Sequence, residues 1–219
     1  MLSYLCIMIK YLREPMNGFT HFIPAVFSVV GLVLLLDKAL AYMDPYRIVS
    51  YTVFGVGLFL LYLMSTLYHW LPLNEKKVRL LRRLDHMMIF VLIAATYTPL
   101  CLISLRGGWG WSLLGVVWTF AFVGIFIKIF WMNASRWVST SIYLIMGWIA
   151  VFAIWPMLNV LNTSELLLLL AGGMFYSVGA VIYALKKPVI VSGFLGFHEI
   201  FHVFVALGSF AHFLVIYSI

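Results

Sequence analysis

Seven runs of mostly apolar residues follow one another with only short polar breaks between them, and they leave the chain few ways to fold. They run roughly from Phe19 to Leu40, Ile48 to Trp70, Leu84 to Leu105, Trp109 to Phe130, Val138 to Leu158, Leu166 to Ala184 and Phe194 to Ile216. A helix of about 20 such residues matches the hydrocarbon thickness of a bilayer. In a medium without water, a helix also satisfies nearly every backbone N–H and C=O within its own segment. The breaks fall at "DKALAYMDPYR", "LPLNEKKVRLLRR", "RGG", "MNASR", "NVLNTSE" and "KKPVIVSG", where charges, Pro and Gly interrupt the pattern. At 219 residues, 65% hydrophobic and 10% charged, the chain has far more apolar length than a soluble core of that size can bury. The expected fold is an all-α integral membrane protein, a seven-transmembrane helix bundle. No repeat, low-complexity tract or long insertion divides it, so residues 1–219 are expected to form one domain.

The basic residues set the expected orientation, because short loops rich in Lys and Arg stay cytoplasmic. With the N-terminus inside, that face holds Lys10, Arg13, Lys76, Lys77, Arg79, Arg82, Arg83, Lys128, Arg136, Lys186 and Lys187, and the opposite face holds only Lys38, Arg47 and Arg106. The N-terminus is therefore expected in the cytoplasm, with 1–18 as a cytoplasmic segment, and the C-terminus outside. The opening "MLSYLCIMIKYLREP" lacks a basic start and a small-residue cleavage site, so an interfacial helix is expected there rather than a cleaved signal. The net charge of +7 follows from topology and does not indicate nucleic-acid binding. The basic loop from Lys76 to Arg83 serves topology first and anionic-lipid contact second. Cys6 and Cys101 fall on opposite sides in this arrangement and form no disulfide framework.

Ionisable residues inside a membrane helix are costly and usually face a cavity or the bundle interior. Here they are Ser65 and His69 late in the second run, Asp85 and His86 opening the third, and His198, Glu199, His202 and His212 in the seventh, with Glu14, Asn17 and His21 in "EPMNGFTH" near the first. The alternation of directions puts His69, Asp85, His198 and His202 at one depth near the basic face. Positions i and i+4 share a helix face, which pairs Ser65 with His69 and His198 with His202. A lone histidine in a span is usually a packing residue. Three converging imidazoles are instead the ligand set of a catalytic zinc that keeps its fourth position open. Asp85 at the same depth suits an acid–base role, and Ser65 suits hydrogen bonding to a ligand or substrate. His212 lies about 15 Å beyond His202 along a helix and cannot share the metal; it either lines the outer cavity or packs. His86, about 100° around from Asp85, is read as interfacial. The "WGW" at Trp109 and "FW" at Phe130 are read as interfacial belts.

The motifs "STLYH" (Ser65 to His69), "LDH" around Asp85 and "HEIFHVFVALGSFAHF" from His198 resemble the hemolysin III family, the bacterial branch of the progestin and adipoQ receptors. "EPMNGFTH", "AATYTP" (Ala94 to Pro99) and "YLIMGW" (Tyr143 to Trp148) resemble the same branch, so the likeness covers nearly the whole chain. The resemblance implies a seven-helix bundle in the bacterial inner membrane, with zinc near its cytoplasmic side. The implied ligands are His69, His198 and His202, with Asp85 meeting the water of the site. Ser65 matches a serine shared with the related alkaline ceramidases. Glu199 departs from the pattern, since relatives often carry Gln or Ala there.

The leading expectation is a zinc-dependent hydrolase of a lipid amide or ester, because a buried site admits an acyl chain more readily than a polar substrate. A lipid-sensing receptor or membrane-homeostasis regulator with structural zinc is the alternative. A pore-forming haemolysin fits less well, because a secreted pore former would be soluble before insertion. A protease built on His-Glu-x-x-His would use His198, Glu199 and His202 with Asp85 as third ligand, but would leave His69 and Ser65 unexplained. Membrane lipids are the expected partners.

Overall fold

The polar breaks of the sequence close one helix and cap the next. A computed structural model describes residues 11–132, 135–191 and 194–219. Cys6, Lys10 and the interfacial helix expected over the first residues lie outside the described residues. Helix α1 spans Pro15–Tyr42 and α2 Pro45–Trp70. Helix α3 runs Glu75–Pro99 and continues through a wider π turn, Leu100–Ser104. It is followed by α4, Gly108–Phe130. Helix α5 (Arg136–Trp148) passes through a tighter 3-10 segment, Ile149–Ala153, into α6 (Ile154–Val160). Helices α7 (Thr163–Leu185) and α8 (Phe197–Ser218) complete the bundle. Among the described residues, counting α3 with its π turn and α5 with α6, seven helical segments are long and apolar enough to cross a membrane.

Each helix start has a local cause. Pro follows the capping position in α1 and α2, where its missing N–H is no loss, and Asp44 accepts from the Tyr46 N–H at 3.0 Å. Asn74 caps α3 by accepting from the Lys77 N–H at 3.1 Å. Asn162 and Glu165 form a reciprocal capping box at α7, with bonds of 3.0 and 2.8 Å. Gly107, at φ 126°, supplies the turn into α4 that a residue with a Cβ rarely adopts.

The Asn74 cap starts α3 at Glu75, nine residues before the expected Leu84, so Asp85 and His86 lie well inside the helix instead of opening it. At the other end, Val191 and Leu195 pair in a tight antiparallel bridge that delays α8 to Phe197, three residues past the expected Phe194. The fifth span is also not one regular helix. Where α5 gives way, the Ala150 N–H donates to the Tyr97 hydroxyl at 2.9 Å, and that hydroxyl donates to the Gly147 carbonyl at 2.5 Å. One phenol thus satisfies backbone groups that an interrupted helix would leave bare in the bilayer.

Helix α1 packs on α2 and α8, α2 on α3, α3 on α4, and α7 on α8. One buried cluster, with Leu35, Tyr51, Phe54 and Ile216, joins α1, α2 and α8; another, with Phe90, Val117, Ala121 and Met146, joins α3, α4 and α5. Exposed Phe22, Val26, Val29 and Val33 give α1 a lipid-facing side. Trp109 and Trp111 are exposed at one end of the bundle and Trp131 and Trp137 at the other, as interfacial belts require. At the first of these ends Lys38 and Arg47 donate to the carbonyls of Tyr217 and Ile219, and Arg106 meets Asp44 at 3.8 Å.

Candidate metal centre

The second span stops at Trp70 because Leu71 precedes Pro72, which disfavours helical backbone at Leu71. Its last carbonyls need donors from elsewhere. The chain entering α1 supplies them: the Glu14 N–H donates to His69 O at 2.9 Å, the Arg13 N–H to Trp70 O at 3.3 Å, and the Arg13 guanidinium to Tyr68 O at 2.5 Å. This clamp holds the Glu14 carboxylate 2.5 Å from His69 Nδ1. The hydrogen bond from His69 is the largest influence on the Glu14 carboxyl and holds it below the usual carboxylate range, against the opposing effect of burial.

Helix α8 brings His198 and His202, one turn apart, against His69. The ligand nitrogens of His69, His198 and His202 all lie within 4.8 Å of one another, and Nε2 of His198 is 3.3 Å from Nε2 of His69. Two ligands at about 2.0–2.1 Å from a tetrahedral zinc stand about 3.3–3.4 Å apart, so this pair has the separation the ion needs. The outer nitrogens are already engaged. Nδ1 of His69 faces a carboxylate, and Nδ1 of His202 lies 3.1 Å from the Asn17 carbonyl and 2.9 Å from Thr20 Oγ1. A carboxylate and a carbonyl only accept, so both Nδ1 atoms carry the proton, which leaves both Nε2 lone pairs free for a metal. Partners of this kind set the tautomer and ring angle of metal-binding histidines. The donor set therefore fits zinc.

Beside the three imidazoles a cavity of about 450 Å³ opens between α3, α5 and α7. Ser65, Asp85, His198 and His202 all line it, while His69 is set behind. Ser65 is 1% exposed, and its hydroxyl has no hydrogen-bond partner among the described residues. His21 also lines the cavity and stacks on His202 with ring centroids 3.6 Å apart, and neither of its nitrogens has a hydrogen-bond partner among the described residues. The Asn17 side chain donates to Glu14 at 3.3 Å.

Two expectations change. His86 is not simply interfacial: it lines the cavity with a buried Nδ1 that has no partner among the described residues, because the cavity spans adjacent helix faces. His212 combines the two roles considered for it, lining the cavity while its Nε2 sits 3.3 Å from Leu169 O, packed where Gly172 leaves no Cβ in the way. Glu199 turns to its own helix start and accepts from the Gly196 N–H at 2.8 Å. Thr20 was not singled out in the sequence, although it lies within the quoted "EPMNGFTH".

The family described as "Haemolysin-III related" matches the chain over residues 9–213. The chain belongs to the haemolysin III family. Among its haemolysin III relatives, "Hemolysin-3" of Bacillus cereus is 43% identical, covering 92% of this chain and 90% of its own. The "Hemolysin-3 homolog" of Bacillus subtilis (strain 168) is 42% identical, covering 92% and 91%. The human "Monocyte to macrophage differentiation factor" is 26% identical over 92% of this chain and 82% of its own, which supports the wider relation of haemolysin III proteins to the progestin and adipoQ receptors.

Proposed function

We propose that this haemolysin III protein is a zinc-dependent intramembrane hydrolase of a lipid amide or ester, with its basic end facing the cytoplasm of a bacterial inner membrane. One observation carries the reading: His198 and His202, grouped with His69, open with Asp85 and Ser65 onto a largely apolar cavity of about 450 Å³. That volume lies within the usual range of about 300–1,000 Å³ for ligand sites.

His69, His198 and His202 would hold the ion through Nε2, with Glu14, Thr20 and the Asn17 carbonyl fixing two of the rings. Zinc so held would supply a Lewis acid, able to bring the pKa of a water toward about 7. The cavity aligns the acyl chain and excludes bulk water. Asp85 takes a proton from the attacking water as its oxygen bonds to the acyl carbon, and returns it to the amine or alcohol as the C–N or C–O bond breaks. Ser65, whose hydroxyl has no hydrogen-bond partner among the described residues, donates to the acyl oxygen as negative charge develops there. The products are a fatty acid and an amine or alcohol.

The test is metal analysis of purified protein beside single Ala variants of His69, His198 and His202, followed by hydrolysis assays on ceramide-like and ester lipids. About one zinc per chain, lost in each variant together with turnover, is the expected result. Zinc persisting in all three variants overturns the proposal.

A further inference from the structure

Lys128 sits in the apolar run "IFIKIF" near the end of α4 and is 1% exposed. Its ammonium carries three donors, and the only hydrogen bond it makes among the described residues goes to Ser139 Oγ at 2.6 Å. Every acidic residue of the chain is described, and none forms an ion pair with Lys128, with the exposed Arg82 or with the partly buried Arg136, so Lys128 is the buried cation left without a counter-ion. A buried cation without a counter-ion is costly, and more so within a bilayer.

These three cations line the same end of the cavity, where Asp85 is the only carboxylate. Two more groups there lack a hydrogen-bond partner among the described residues: the buried Nη1 of Arg136, whose guanidinium lies over the Tyr183 and Phe197 rings at 5.0 and 5.4 Å, and Oγ1 of Thr140, which is 4% exposed. Donors thus converge from α3, α4 and α5 beside His198, in an otherwise apolar chamber where three cations share the single carboxylate of Asp85. A free anion would satisfy the donors but leave the chamber unused; an amphiphile satisfies both.

We infer that Lys128, Arg136 and Thr140, with Arg82, bind the phosphate or carboxylate headgroup of an anionic acyl lipid whose chain occupies the cavity. The inference rests on the acyl-lipid reading of the cavity given above and is independent of the metal. It narrows the substrate class to anionic lipids and assigns Lys128 a role in headgroup recognition.

The test compares two lipids with the same chain, 1-O-oleyl-glycerol-3-phosphate and uncharged 1-O-oleyl-glycerol, ether-linked so that neither is hydrolysed, in equilibrium binding to full-length protein in neutral-lipid nanodiscs, with inorganic phosphate as a third arm. The phosphate-bearing lipid is expected to bind at least tenfold more tightly than the uncharged one. Lys128→Met and Arg136→Gln are expected to remove that preference while still binding the uncharged lipid, and Lys128→Arg to keep it. Lys128→Met is further expected to raise the melting temperature of the lipid-free protein, which a merely packed lysine stem would not do. Equal affinity for the two lipids, or a preference that survives Lys128→Met, overturns the inference and leaves the cavity reading intact. Binding of neither lipid overturns the cavity reading as well. Inorganic phosphate binding through Lys128 as tightly as the lipid points to a free-phosphate site and overturns the lipid assignment. His69→Ala, which disrupts the metal ligands, is expected to retain the preference; its loss there would put the headgroup on the metal and overturn the inference.

Discussion

Nδ1 of His69 donates to the Glu14 carboxylate at 2.5 Å across 55 residues of sequence, tying the last turn of α2 to the entry of α1. The bond fixes the imidazole so that Nε2 faces His198. Glu14→Gln keeps an acceptor but removes the charge that strengthens the ring's basicity, and zinc affinity is expected to fall about 10- to 100-fold. Competition against a chelating dye measures this. Thr20→Val is expected to cost less, because the Asn17 carbonyl still receives the His202 proton. Unchanged affinity in Glu14→Gln would reduce the carboxylate to a tether between helices.

Asp85 separates the hydrolase from a lipid-sensing receptor. It lines the cavity with Ser65, His198 and His202, and is not one of the three grouped nitrogen donors. Asp85→Asn is therefore expected to retain zinc while hydrolysis falls about 10²- to 10⁴-fold, the usual contribution of a general base. Ser65→Ala should lose about 10²-fold, as for a single donor to a developing oxyanion. Zinc content and lipid turnover measured on the same preparations decide it, and full function in a zinc-loaded Asp85→Asn protein would favour the receptor.

Glu199 offers the test against a protease. Its carboxylate accepts from Gly196 N–H and so steadies the first turn of α8. Glu199→Gln can still accept that bond and should lower stability by no more than about 1 kcal/mol, with activity within a few-fold of wild type. Near-complete loss of activity with folding and zinc intact would restore the general-base role.

The seven spans were legible because apolar length, unlike amphipathic pattern, needs no partner to interpret. The three grouped histidines were legible because helical spacing paired His198 with His202, and alternating direction placed His69 level with them. What stayed hidden depended on contacts distant in sequence. Nothing local ties Glu14 to His69 or Thr20 to His202, which is 182 residues away. Lys128 reads as an ordinary helix-end lysine until its burial is known. The motifs "AATYTP" and "YLIMGW" carried a family likeness without a reason, and the structure supplies one, since Tyr97 of the first bonds the Gly147 carbonyl of the second where the fifth span breaks. The start of α3 was misjudged because "EKKVRLLRR" is too charged to span a bilayer, although Asn74 caps it as a good helix.

Ser209 joins three helices one layer beyond the site. Its hydroxyl lies 2.6 Å from the Tyr62 hydroxyl of α2 and 2.8 Å from the Tyr176 hydroxyl of α7, and Ser209 and Tyr62 are nearly fully buried. Interhelical hydrogen bonds in bilayers are worth about 0.6 kcal/mol on average, because groups freed in the membrane find other partners. Two phenols stranded together have little choice of replacement, so Ser209→Ala is expected to destabilise the bundle by about 1–2 kcal/mol. Zinc affinity should stay unchanged, because His202 lies seven residues away and takes its partners from α1. Tyr176 also lines the cavity, so its release should weaken acyl-lipid binding while the metal remains in place. Thermal unfolding, zinc content and lipid binding of the one variant separate these effects: a loss of zinc would mean that the layer at Ser209 and the metal centre move as one unit.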